Sequence, residues 1–324
     1  MGGEKEHAAP PPKVVMLFLD GVGLGEEDPA ANPLVVAPTP RLRSLLGGLP
    51  LIRSSAPLTL GETSLQILDA TLGVEGLPQS GTGQASLLTG VNGARMMGRH
   101  FGPYPPSMLR ELLAQKGLFG EFVRRGKRVC YANAFPRRFE EYRSHHPWRV
   151  TGVMLCYLAT GLPLRGAEDL AVGRGISGDV TGRGWKDLGH PEVRTVGAEE
   201  AGRRLARLAR EADFTLFEYW LTDKAGHSRS MEESIRCLEL LDGLVGGFLD
   251  EVERGRTLLL VTSDHGNLED LRTRSHTRNP VPALFHGCGH ARAAGLLGAV
   301  PGVLPDLTAV APALIGTALP EAAS

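Results

Sequence analysis

Two apolar runs that each stop on a carboxylate constrain this chain more than any other feature of its sequence. Residues 14–19 read Val-Val-Met-Leu-Phe-Leu and give way to Asp20-Gly21; residues 257–262 read Thr-Leu-Leu-Leu-Val-Thr and give way to Ser263-Asp264-His265. A run without polar alternation is the pattern of a strand covered on both faces, as in a parallel sheet flanked by helices. Such sheets gather ligands at the C-terminal ends of their strands, where Asp20 and Asp264 stand. Residues 128–131 and 214–219 have the same character. Between these runs, residues 105–117, 118–125 and 198–212 are apolar at helical spacing, and 231–253 places Ile235, Leu238, Leu241, Leu244, Val245, Phe248 and Leu249 on one stripe. Residues 304–319 read as a closing helix. This alternation predicts an α/β fold, a three-layer α/β/α sandwich around a mainly parallel sheet.

The rhythm breaks over residues 136–194, which are rich in Arg, Gly, His and Trp and hold one apolar run at 150–158. That stretch is expected to be a small inserted cap, leaving 13–135 and 195–324 as the core. Residues 1–12 carry three charged side chains, a His and three consecutive prolines, without the apolar stretch of a secretion signal, and read as a disordered leader. The charges nearly cancel, 35 Lys plus Arg against 36 Asp plus Glu, so no global field points to nucleic acid or an acidic membrane surface. No apolar run reaches the roughly 18 residues of a spanning helix. A small molecule is the expected partner. Cys130, Cys156, Cys237 and Cys288 lie far apart with no CxxC spacing, which argues against a zinc knuckle or disulfide scaffold and fits reduced thiols in a cytoplasmic protein.

The chemistry-bearing residues cluster late in the chain. Asp223-x-x-x-His227 puts two ligand-type side chains within reach of one metal. Asp264-His265 directly follows a buried strand, and adjacent side chains diverge, so the two can serve different metals. His276, in His-Thr-Arg-Asn-Pro-Val-Pro, adds a ligand on a loop restrained by two prolines. Earlier, residues 78–90 read Pro-Gln-Ser-Gly-Thr-Gly-Gln-Ala-Ser-Leu-Leu-Thr-Gly, a glycine-bearing turn leading into a helix-competent stretch. A hydroxyl at that helix N-terminus would stand where N–H groups and the helix dipole favour a phosphate. Either Ser80 or Thr82 meets that description.

Taken in order, Asp20-Gly21, the segment from Ser80 to Gly90, Asp223-x-x-Gly226-His227, Asp264-His265-Gly266-Asn267 and His276-Thr-x-Asn-Pro-Val-Pro282 resemble the metal and nucleophile motifs of the alkaline phosphatase superfamily. The last two look most like its cofactor-independent phosphoglycerate mutase and phosphopentomutase branch. The resemblance covers roughly residues 13–135 and 195–319 and leaves out the cap. It implies an alkaline phosphatase-like, metal-binding catalytic core. It also favours Ser80 as nucleophile, with Thr82 the fallback, because Ser80 stands ten residues before Gly90 in Thr89-Gly90 and three before Gly83, as in the family pattern. Carried over, the ligands divide into Asp223, His227 and His276 for one metal and Asp20, Ser80, Asp264 and His265 for the other. Asp and His ligands without a thiolate fit two divalent ions, Zn²⁺ or Mn²⁺. The implied chemistry is metal-dependent phosphoryl transfer through a phosphoserine. A serine where related sulfatases use a modified cysteine speaks against sulfatase activity.

Whether water or a substrate hydroxyl accepts the phosphoryl group separates a phosphatase from a mutase, and mutases tend to enclose their intermediate under a large lid. With roughly 60 residues the cap is shorter than mutase caps of the family. The expectation is therefore a phosphomonoesterase acting on a small phosphorylated metabolite. A phosphoglycerate or phosphosugar mutase, a phosphodiesterase and a non-catalytic metal-binding module are the alternatives. Within the cap, Arg137, Arg138, Arg174 and Arg183 are candidates for gripping a second anionic group, since a guanidinium binds carboxylate or phosphate bidentately. The loop over 174–185, with Asp179, is the expected substrate loop, and Lys224 is a candidate phosphate contact. His145-His146 and His286-x-x-x-His290 are expected to be structural.

Overall fold

The computed structural model describes residues 10–298 and 303–319. Most of the expected leader, residues 1–9, lies outside the described residues, while Pro10 to Pro12 run without regular structure into the first strand. The strands are β1 (Lys13–Leu19), β2 (Leu58–Leu60), β3 (Thr63–Leu68), β4 (Val129–Tyr131), β5 (Asn133–Ala134), β6 (Ile176–Ser177), β7 (Phe214–Tyr219), β8 (Thr257–Thr262) and β9 (Val281–Gly287). Seven of them form one sheet in the order β2-β3-β9-β8-β1-β7-β4, and β5 pairs with β6 apart from it. Strands β4, β7, β1 and β8 are parallel neighbours, so their C-terminal ends share one edge. The register pairs Leu19 with Tyr219 and Phe18 with Thr262, which brings Asp20, Trp220 and the Ser263-Asp264 turn out at nearly one level.

The continuous apolar runs are explained by burial on both faces. Val14, Met16 and Phe18 of β1 join Phe214, Leu216, Leu258 and Leu260 in one core cluster. Val15, Leu17 and Leu19 join Phe217, Tyr219, Leu259 and Val261 in the other. The first face is covered by the helices Ser80–Thr89, Ser107–Lys116, Leu118–Arg124, Gly152–Leu158 and Val310–Ala318, the second by Ala198–Glu211 and Met231–Glu251. Three layers result, as alternation predicts. The sheet is mixed at its other end, where β9 runs antiparallel to both β8 and β3. Strands β2 and β3 carry no continuous apolar run, whereas β9 carries one at 281–285 that lies outside the runs expected to be strands.

The expected cap does not form one self-contained unit. Val150, Val153, Met154, Cys156 and Tyr157 pack into the first core cluster, because the run at 150–158 folds as a helix against the Ser80 helix and its neighbours. The rest of the insert has a small cluster of its own, Ala134, Leu170, Trp185 and Val193. Among the described residues no helix is long and apolar enough to cross a membrane.

Candidate metal centre

Two groups of ligand-type side chains converge at the shared strand edge. Asp20, Asp264 and His265 form a buried triad, and Asp223, His227 and His276 a more open one; within each, one ligand atom per residue lies within 4.8 Å of the others. Asp20 ends β1 and Asp264 follows β8, so main-chain pairing sets their spacing. The turns are tied across as well: Val22 N–H donates to Ser263 Oγ at 2.9 Å, and Thr222 Oγ1 donates to the Asp20 carbonyl at 2.6 Å. Gly21 has a φ of +68° and no room for a side chain, since a Cβ there would sit 2.6 Å from Asp223 Oδ1. Asp223 and His227 project from the helix Leu221–Ser228 at i and i+4, one face of one turn. The rings of His265 and His276 stack at 3.8 Å and bring the triads side by side.

The imidazoles are oriented alike. His227 Nδ1 lies 2.8 Å from the Arg274 carbonyl, His276 Nδ1 2.7 Å from the Pro78 carbonyl and His265 Nδ1 3.3 Å from the Gly266 carbonyl. A carbonyl only accepts, so each Nδ1 carries the proton and each Nε2 is left to the centre. His227 Nε2 is 3.2 Å from Asp223 Oδ2, His276 Nε2 3.7 Å from Asp223 Oδ1, and His265 Nε2 3.4 Å from Asp20 Oδ1. Asp20 Oδ1 and both Asp264 oxygens are buried and accept no hydrogen bond. Buried carboxylate oxygens without donors, facing imidazole lone pairs, are what a divalent cation requires and what a neutral core does not tolerate. The residues therefore fit two divalent cations.

The electrostatics agree. Burial would pull the His265 imidazolium down, but the Asp264 and Asp20 carboxylates hold it up at about 10. Burial pushes Asp264 well above the usual carboxylate range. Burial and the charge of His265 push His276 down to about 4. A proton on His265 thus occupies the atom a cation would take, and cation binding there must release it.

Ser80 opens the helix Ser80–Thr89, and its Oγ lies 3.0 Å from His265 Nε2. Gly83 lets that helix approach, since a Cβ would meet the Asp264 carbonyl oxygen at 2.8 Å. The first N–H groups of a helix have no acceptor within it, so those of Ser80 and Gly81 remain for a ligand. Thr82 Oγ1 instead donates to the Gln79 carbonyl at 3.1 Å and accepts from Phe101 N–H at 3.3 Å. The structure brings Ser80 to the ligands and ties Thr82 into the backbone.

The cap candidates do not converge with them. Arg137 pairs with Glu141 at 3.2 Å along its own helix, with its side chain 85% exposed, and Arg174 pairs with Asp169 at 3.5 Å. Arg138, Arg183 and Lys224 are exposed, and Asp179 caps its own turn by accepting from Gly182 N–H at 2.7 Å. His145 bonds within its helix, while His286 and His290 contact Thr63 and Ser64 of β3.

Three supporting residues carry no separable signal in sequence. Asn267 donates from Nδ2 to Asp223 Oδ1 at 2.6 Å. Glu269 accepts from Gly23 N–H, Asn267 N–H and Asn279 Nδ2, at 2.9, 2.8 and 3.0 Å, and from the Thr277 hydroxyl, joining the three ligand loops. Glu218 of β7 is buried beside Tyr131, whose hydroxyl donates to it, and burial lifts its carboxyl to about 7. A lone acid near the end of the apolar run Phe-Thr-Leu-Phe-Glu-Tyr was its only sequence trace.

Residues 190–312, which hold both triads except Asp20, match the family described as the Metalloenzyme superfamily. Among curated relatives, a 2,3-bisphosphoglycerate-independent phosphoglycerate mutase of Gluconobacter oxydans is 30% identical over 145 residues, covering 42% of this chain and 26% of the relative. One from Saccharolobus solfataricus is 32% identical over 79 residues, 24% of this chain and 19% of the relative. The chain thus spans about a quarter or less of these relatives' length. Similar solved structures include a Leishmania mexicana phosphoglycerate mutase, at 13% identity and TM-score 0.48 over 97% of this chain and 96% of that one. Another is an alkaline phosphatase from the Antarctic bacterium TAB5, at 11% identity and TM-score 0.47 over 95% and 98%.

Proposed function

We propose that this chain is a cytoplasmic two-cation phosphoryl-transfer enzyme that hydrolyses small phosphate monoesters through phosphorylated Ser80. The observation that carries the reading is Ser80 Oγ at a buried helix N-terminus, 3.0 Å from His265 Nε2 and beside two converging ligand triads. Asp20, Asp264 and His265, with Ser80, would hold one cation and Asp223, His227 and His276 the other, with Zn²⁺ and Mn²⁺ both suited to carboxylate and imidazole donors. Bound there, the two cations would supply Lewis acidity that lowers the pKa of the Ser80 hydroxyl and offsets charge on the attacking and leaving oxygens. The chain itself orients the phosphate with the Ser80 and Gly81 N–H groups. Ser80 gives up its hydroxyl proton to solvent, and a bond forms between Oγ and phosphorus as the ester oxygen leaves and takes a proton from solvent. Water then cleaves the phosphoserine, returning the serine and releasing phosphate.

The small insert favours water as acceptor. The names of the relatives favour a second reading, in which a substrate hydroxyl accepts the group and the chain is a mutase. Incubation with Mn²⁺ or Zn²⁺ and a panel of phosphate esters, followed by ³¹P spectra, decides: free phosphate is expected, and a migrated ester would establish the mutase. Full turnover by Ser80→Ala would overturn both.

A further inference from the structure

A cavity of about 350 Å³ opens beside the proposed site, between the insert and the strand edge. That size is at the lower end for small-molecule pockets. Four aromatic residues line it beside Asn133, Ser177 and Asp179: Phe135 and Phe139, stacked at 4.9 Å, Trp220, and Trp185, whose Nε1–H is fixed on Ser177 Oγ at 2.8 Å. Trp220 and Leu188 line the mouth, 44% and 40% exposed, which is costly for large apolar side chains unless something covers them. The Trp220 indole lies against Gly178, where a Cβ would approach Nε1 to 2.7 Å.

The cavity is continuous with the chemistry. Trp220 is the N-cap of the helix that carries Asp223 three residues later. Asn133, on the cavity wall, lies just past the end of β4, and its side chain bonds both main-chain groups of Glu218 on β7. Strand β4 is separated from β1 only by β7, so two strand spacings, roughly 10 Å, divide the cavity from Asp20. A second anion finds no partner in the walls, whose lining residues include Asp179 and no Arg or Lys. A flat ring fits walls of stacked rings, which attract aromatic faces beyond simple burial.

We infer that this cavity takes the leaving group of the substrate, and that the preferred ester carries a planar aromatic ring a few atoms from the phosphate. The inference rests on the proposed phosphoryl transfer. Its test compares kcat/KM of the cation-loaded enzyme for 2-phenylethyl and 4-phenylbutyl phosphate with ethyl phosphate, butyl phosphate and 3-phosphoglycerate. At least one phenylalkyl ester is expected to exceed its alkyl counterpart tenfold or more. The ratio should fall toward one in Trp220→Ala, an exposed position whose loss leaves the core intact, and should drop in Gly178→Ala, which displaces the indole. A wild-type ratio near one, or a ratio unmoved by both substitutions, overturns the inference. Binding of the matching non-hydrolysable phosphonates, followed by tryptophan fluorescence, reads the cavity even if no ester is turned over. Failure of the chemistry and failure of the pocket are thereby distinguished.

Discussion

The two ligand triads use the same residue types and differ in how the fold holds them. Asp264 and His265 are wholly buried, and with Asp20 they follow directly on adjacent parallel strands. Asp223, His227 and His276 hang on a helix and a loop, with side chains 20%, 44% and 10% exposed. Water can hydrate the open group when no cation is bound. In the buried one it reaches only Asp20, 12% exposed; two carboxylates face a single imidazole there, and Asp264 has neither donor nor solvent. An uncompensated buried charge costs several kcal/mol, so the buried triad must hold a cation or a proton at all times. The open triad is free to exchange.

The sharpest way to break that distinction is Asp264→Asn. It keeps the shape and removes the charge, so the buried cation and the partner of Ser80 should go together. On the proposed reading, turnover falls on the order of 10³-fold, and excess Mn²⁺ or Zn²⁺ does not restore it. Metal content per chain and kcat/KM against cation concentration provide the check. Recovery at high cation would mean that the buried triad exchanges as readily as the open one.

A second effect concerns Glu218, the further acid on the buried side. Its folded value of about 7 lies above the ordinary 4.5, raised by burial and by the charge of Asp20, against the Tyr131 hydrogen bond. Between those values the folded state binds more protons than the unfolded state, so stability is fully present below the lower one and is lost as pH rises toward the upper one. In cation-free protein, the unfolding free energy of wild type relative to Glu218→Gln should drop by roughly 3 kcal/mol from pH 4 to pH 8. Denaturant titrations across that range measure it. A flat difference would show that the acid is not desolvated as the fold places it.

The same contrast governs what could be read from sequence. β1, β7 and β8 were legible because strands buried on both faces leave continuous apolar runs, and the buried triad came with them as the residues that end those runs. β3, with Gln66 and Ile67 only partly buried, leaves no such trace, while the apolar, buried run at 281–285 of β9 is masked by Pro280 and Pro282, residues that read as a loop. The run at 150–158 was visible but misplaced in the insert, since apolarity records that a segment is buried and not what it is buried against. The ligand set stood out through motif order alone. Of its supports only Asn267 lay within a motif; Glu269 and Glu218 matter through partners up to 246 residues away, as in Gly23 to Glu269. The aromatic cavity is assembled from residues 133–139, 177–188 and 220; of these only the loop 174–185, expected to meet the substrate, stood out in sequence.

The smallest expected effect sharpens the comparison from the open side. His227 is the most exposed of the proposed ligands, and its helix Leu221–Ser228 is fixed independently of it, with Thr222, Ala225 and Gly226 buried beneath. His227→Ala should leave stability within about 0.5 kcal/mol, as for other exposed positions. Cation affinity at this triad should fall about 100-fold or more, since loss of a ligand's supporting partner alone costs about 10- to 100-fold. Because water can enter the vacated position, millimolar Zn²⁺ or Mn²⁺ should restore most of the turnover. Titration of activity with cation tests this directly, as a shifted midpoint with a nearly unchanged plateau. A plateau as low as that of Asp264→Asn would mean that the triads act as a single unit, coupled through the stacked His265 and His276 rings, and that burial does not set their roles apart.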